Sequence, residues 1–130
     1  MRGTGCHDPK VRPTVLIVDD HPGFRRSARR MLAVEGFDVL GEAPDGQSAL
    51  ALVRALRPQV VLLDVLLPDI DGFVVAEVLA REPSPPCVVL TSSRDANDFA
   101  SRLERTPASG FLPKAELSGA KLATYTEVAL

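Results

Sequence analysis

Short apolar runs rich in β-branched residues alternate with segments whose apolar positions repeat at helical spacing, about five times along the chain. That alternation predicts an α/β domain on a parallel sheet. The first run, residues 15–18, is too short for a helix and ends in Asp19-Asp20. Pro22 suits the first turn of a helix in which Phe24, Ala28, Met31 and Leu32 fall on one stripe, and Gly36 closes it. A weaker strand is predicted over 37–40. Asp45 then caps a second helix with Ala49, Leu52, Val53 and Leu56 facing inward, and Pro58 ends it. Residues 60–63 are apolar on both faces, as expected of a central strand covered by helices on each side. After Pro68 and Gly72 a third helix carries Val75, Val78 and Leu79 and stops at Pro83, Pro85 and Pro86. A fourth strand is predicted over 87–90. A fourth helix over 95–103 has Ala96, Phe99, Ala100 and Leu103 in register, with an apolar face so thin that it should be the least firmly packed. Residues 110–112 make a brief fifth strand, and Pro113, unable to donate to a ladder, favours a sheet edge. Leu117, Leu122, Tyr125 and Ala129 mark a last helix.

Composition narrows the class. The chain has 130 residues, 45% of them hydrophobic. One core of that size buries roughly two thirds of the unfolded surface and needs no staple or structural metal. Residues 1–13, with Gly3, Gly5, Pro9 and Pro13 and no apolar centre, read as a flexible tail rather than a secretory leader, and 14–130 as one domain. The longest apolar runs, 60–63 and 65–67, are broken by Asp64 and fall far short of the roughly 20 residues of a membrane span. The cytoplasm is the expected compartment. A formal charge of −2 gives no field that would gather nucleic acid or an anionic membrane, so direct nucleic-acid binding is not expected. Cys6 and Cys87 make neither a disulfide framework nor a CxxC pair, and consecutive Cys6, His7 and Asp8 are poor metal-ligand geometry. Arg25, Arg26, Arg29 and Arg30 form the one basic cluster and read as a solvated helix face.

Chemistry concentrates at the predicted strand ends. The first strand ends in Asp19 and Asp20, the third in Asp64 and the fourth in Thr91 and Ser92, while Lys114 follows the fifth. In an open parallel sheet that rim is where ligands bind. Adjacent strands lie about 4.8 Å apart, so if the first and third strands are neighbours, Asp20 and Asp64 could share one small cation with ligand distances near 2.1 Å. Oxygen donors favour Mg²⁺, and no His or Cys set is offered for Zn²⁺. An ionised Asp64, held so by metal and Lys114, is a nucleophile toward phosphorus. No glycine-rich phosphate cradle is present, so the expected donor is another protein rather than a nucleotide.

Four motifs then match a known pattern in order: Val-Asp-Asp at 18–20, Leu-Leu-Asp-Val-Leu-Leu-Pro-Asp-Ile-Asp-Gly at 62–72, Leu-Thr-Ser at 90–92, and Gly-Phe-Leu-Pro-Lys at 110–114. Over residues 14–129 the chain resembles a response-regulator receiver domain. The resemblance implies a flavodoxin-like α/β/α sandwich with a five-stranded parallel sheet. Its strand order, 2-1-3-4-5, is likewise the one the family is known for, receivers being a standard illustration of ligand binding at strand ends. The resemblance also implies that Asp64 accepts a phosphoryl group from a phosphohistidine of a sensor histidine kinase or histidine phosphotransfer protein. Asp20, Asp64 and the main-chain carbonyl of Leu66 would bind Mg²⁺, with Asp19 acting mostly through water. Lys114 would pair with the phosphoryl group, Thr91 would donate its hydroxyl to it, and Phe111 would change rotamer as Thr91 moves. The responding surface would be the fourth helix, fifth strand and fifth helix, controlling a homodimer or an output partner.

Some positions depart from that pattern or have plainer explanations. Pro113 precedes Lys114 and Ala115 follows it, where many receivers have a Lys-Pro pair. Asp69 and Asp71 read as turn and capping residues, and His21 as too near the surface of a helix start to be catalytic. Leu66 stands where a haloacid-dehalogenase-type phosphatase would need a second acid, which counts against that reaction. The remaining alternative is a receiver-like interaction module that signals without phosphate.

Overall fold

The computed structural model describes residues 12–126. Residues 1–11 of the expected tail at 1–13, Cys6, His7 and Asp8 among them, and Ala129 lie outside the described residues. The elements are β1 (Thr14–Val18), α1 (Pro22–Val34), β2 (Asp38–Ala43), α2 (Gly46–Leu56), β3 (Val60–Asp64), α3 (Gly72–Ala80) and β4 (Cys87–Ser92). A 3₁₀ turn at Ala96–Phe99 leads into α4 (Ala100–Leu103), then β5 (Gly110–Pro113), a second 3₁₀ turn at Lys114–Glu116 and α5 (Gly119–Thr126). The strands pair in parallel in the order β2-β1-β3-β4-β5, as expected. Among the described residues no helix is long and apolar enough to cross a membrane.

The alternation within each central strand builds two cores. Leu16, Val18, Val61, Leu63, Val88 and Leu90 face α2, α3 and Phe99. Val15, Ile17, Val60, Leu62 and Val89 face Ala28 and Leu32 of α1 and Leu122 of α5. Residues 60–63 are fully buried, each side chain contributing about 1.5–3 kcal/mol by leaving water. The firmest part of the molecule therefore ends at Asp64.

Four elements differ from the sequence expectation. The second strand is Asp38–Ala43, not 37–40. Its pairing passes from Val15↔Val39 to Leu16↔Gly41, so Leu40 is an unpaired bulge residue that hides the alternation. Phe37 lies outside the strand and packs in the α1 core. The fourth helix is one α turn after a 3₁₀ turn; α4 buries no residue of its own, and Phe99 is its nearest buried anchor. In α5 Tyr125 is partly exposed rather than inward, because its ring covers Gly110, whose missing Cβ makes the room. Leu56 is also partly exposed and lies over Gly41 of β2.

Candidate functional site

Parallel strands in this order bring their carboxyl ends to one rim. Asp19 and Asp20 follow β1, Asp64 ends β3 and Lys114 follows β5. Asp19 is fully buried and Asp64 is 3% exposed. Lys114 Nζ lies 2.6 Å from Asp19 Oδ2 and 3.3 Å from Asp64 Oδ2, bridging the two carboxylates. Asp64 Oδ1 accepts the Leu66 N–H at 3.1 Å, and Asp19 Oδ1 accepts the His21 N–H at 2.8 Å. Ligand atoms of Asp19, Asp20, His21 and Asp64 all lie within 4.8 Å of one another.

The electrostatics follow from burial. Desolvation holds the Asp64 carboxyl above its ordinary range and the Asp19 charge adds to this, while the Leu66 N–H and Lys114 pull the other way. Burial would lower Lys114, but the adjoining Asp19 and Asp64 carboxylates outweigh it and raise its proton affinity. Asp19 Oδ2 is a buried oxygen whose close partner is the Lys114 ammonium. Three converging carboxylates fit a divalent cation, whose charge would compensate the acids that a single ammonium leaves in excess.

The other expected site residues sit close by with different partners. Thr91 pairs with Asp64 on one side and Leu112 on the other, yet its hydroxyl donates to the Leu112 carbonyl at 2.6 Å rather than into the acidic cluster. Ser92 Oγ accepts the Arg94 N–H at 3.0 Å. The half-buried Phe111 ring packs on Phe99 with centroids 6.1 Å apart, and Phe99 on Phe73 at 5.9 Å. Leu66 exposes 45% of its surface beside Asp64.

Several contributors went unrecognised in the sequence. His21 joins the cluster, with Nδ1 3.1 Å from both Asp19 Oδ1 and Asp20 Oδ1. The arginine face is divided: Arg26 and Arg30 are solvated, whereas Arg25 donates to the Asp19 carbonyl at 2.6 Å and shares Glu42 with Arg29 at 3.1 and 3.0 Å. Phe24 lies under Lys114, with Nζ 4.5 Å from the ring centroid. Asp71 caps α3 as expected through the Phe73 N–H, but Asp69 reaches across to accept the Gly46 and Gln47 N–H groups at the start of α2. Gly72 packs its backbone on the Asp64 carbonyl so closely that a Cβ would overlap it. The His-Pro and Pro-Asp-Ile-Asp-Gly spacing was the one signal for these: the His21 contacts are local, whereas those of Phe24 and Asp69 join distant segments.

Comparison with known proteins decides the family. The family model for the response regulator receiver domain matches residues 15–125. The chain belongs to the response regulator receiver domain family. This receiver is 40% identical over 101 residues to the response regulator GacA of Pseudomonas aeruginosa, covering 77% of this chain and 47% of that protein. It is 41% identical over 106 residues to the probable transcriptional regulatory protein NarL of Mycobacterium tuberculosis, covering 81% of this chain and 48% of that one. The receiver thus spans about half the length of these curated relatives. The solved receiver domain of putative response regulator NarL from M. tuberculosis superimposes with a TM-score of 0.78 at 35% identity, over 88% of this chain and 96% of that one.

Proposed function

We propose that this receiver accepts a phosphoryl group on Asp64 from a phosphohistidine of a sensor kinase or histidine phosphotransfer protein, and that the change controls an output through α4, β5 and α5. The observation that most supports this is the pairing of a buried strand-end carboxylate with a fixed ammonium, Lys114 Nζ 3.3 Å from Asp64 Oδ2. An Asp64 oxygen forms a bond to phosphorus as the donor's N–P bond breaks, and the imidazole departs with the electron pair and takes up a proton from solvent. Asp20, Asp64 and the Leu66 carbonyl would hold Mg²⁺, with Asp19 acting mostly through water. The ion there supplies positive charge that offsets the phosphoryl oxygens. Lys114 exchanges Asp19 for those oxygens.

Thr91 releases the Leu112 carbonyl to donate to the phosphoryl group, and Phe111, next to Leu112 on the short β5, repacks against Phe99. Phosphorylation adds close to two charges beside α4, which has no buried residue to fix it. A homodimer or an output partner then reads the altered surface. In this reading residues 14–130 are one cytoplasmic receiver preceded by a tail at 1–13, and the output belongs to the whole protein.

Incubation with acetyl phosphate and Mg²⁺, followed by intact mass, tests the chemistry. The mass should rise by one phosphoryl group, and both Asp64→Asn and chelation of the metal should prevent it. An unlabelled wild-type chain would overturn the proposal in favour of the phosphate-independent interaction module.

A further inference from the structure

His21 occupies the N-cap of α1 but makes no side-chain cap bond. Ser, Thr, Asp or Asn would do that work better. Its ring instead turns to the acidic pair, with Nδ1 3.1 Å from Asp19 Oδ1 and 3.1 Å from Asp20 Oδ1. Two ligands at right angles on an ion with bonds of about 2.1 Å lie about 3.0 Å apart, so both spacings match an edge of an octahedral shell. Beside this group lies the fully buried Asp19 side chain, whose Oδ2 meets Lys114 Nζ at 2.6 Å while Oδ1 faces His21. A nitrogen donor contributes little to Mg²⁺, which prefers oxygen and sheds water reluctantly. First-row transition ions accept imidazole readily, with affinity rising from Mn²⁺ through Co²⁺ and Ni²⁺.

We propose that His21 turns the oxygen rim into a mixed nitrogen and oxygen site that binds a first-row transition ion more tightly than Mg²⁺, with Nδ1 as a ligand. This rests on the reading of the rim as a divalent-cation site. The imidazole then sets which cation the receiver holds, and Asp20 and Asp64 complete the site as they do for Mg²⁺.

Calorimetric titration of the full chain with Co²⁺ and with Mg²⁺ at one fixed pH, together with the visible absorption of bound Co²⁺, tests the assignment. Wild type should bind Co²⁺ more tightly than Mg²⁺. His21→Ala should weaken Co²⁺ by about tenfold or more and alter its absorption. The same variant should leave Mg²⁺ affinity within a factor of about two. A Cys6→Ser, His7→Ala double variant, which removes the thiol and imidazole of the tail, should leave Co²⁺ binding unchanged. Equal Co²⁺ affinity in wild type and His21→Ala, or loss on changing the tail alone, would overturn the proposal while the Mg²⁺ site stands. Failure of wild type to bind either ion would overturn both.

Discussion

Arg102→Ala should loosen α4 and leave the sheet untouched. The α4 turn buries none of its own residues, and Arg102 ties it to the neighbouring helix twice. Its Nη1 lies 2.7 Å from Asp71 Oδ2, and its guanidinium carbon stands 4.3 Å from the centroid of the buried Phe73 ring. The ion pair is half exposed, so solvent leaves it about 0.2–1 kcal/mol. The cation–π contact adds about 0.5–1 kcal/mol. A combined loss of about 1 kcal/mol is small against global stability but large against local opening of one helical turn, where it is a factor of about five in the equilibrium. Hydrogen exchange followed by mass spectrometry should show peptides over 96–106 exchanging about five times faster in the variant, with β1 and β3 peptides unchanged. Asp71→Asn removes only the ion pair and keeps an acceptor for the Phe73 N–H, so it should give a smaller change in the same peptides. Unaltered α4 exchange, or acceleration spread evenly into β3, would refute the reasoning.

Three further outcomes follow from contacts beside Asp64 and at the start of α2. Leu66 presents no polar group to orient water, so Leu66→Asn should shorten the lifetime of phosphorylated Asp64 severalfold; equal loss of label after donor removal would refute it. Gly72→Ala drives a Cβ into the Asp64 carbonyl and to 2.7 Å from Val65 Cα. It should cost about 1–3 kcal/mol in denaturant unfolding and slow labelling by acetyl phosphate. The Gly46 N–H, followed by those of Gln47 and Ile70, holds Asp69 below the ordinary carboxyl range despite opposing desolvation. A depressed folded-state pKa gives stability that is fully present above the unfolded value and fades as pH falls through the folded one. Asp69→Asn should therefore lower the melting temperature most at neutral pH, with the deficit shrinking below about pH 4; a deficit independent of pH would count against the charge.

The rim was legible because periodicity locates strand ends, and a parallel sheet places all such ends on one side. Asp19, Asp20, Asp64 and Lys114 needed nothing more to be set on one rim, while the adjacency of β1 and β3 followed only from the resemblance to receivers. Thr91 was placed on the right strand, but its hydroxyl partner depends on β4–β5 pairing, which no local pattern encodes. β2 was misjudged because Leu40 is an extra residue, so Gly41 and Glu42 look like the end of a strand that in fact continues to Ala43. The α4 segment carries a helical pattern, yet with Phe99 alone buried there is too little packing to extend it beyond one α turn. His21, Phe24 and Asp69 were each assigned a local role that the tertiary structure supplements or replaces.

The proposed switch would join a rigid site to a soft surface. Fully buried β1 and β3 side chains fix where Asp19 and Asp64 stand, so the acidic rim cannot relax by moving apart. Its excess negative charge is relieved by Lys114, by the Leu66 and His21 N–H groups, by a bound cation or by protonation. Two contact paths lead from there to α4. One runs from Thr91 through the Leu112 carbonyl to Phe111 and Phe99. The other runs from the Asp64 carbonyl through Gly72 and its neighbour Asp71 to Arg102. Contact is not coupling; coupling requires that α4 have two arrangements whose difference in free energy the site can change. Because α4 is held by terms of about 1 kcal/mol each, charge added at Asp64 needs to favour one arrangement by only that much to alter its population about fivefold.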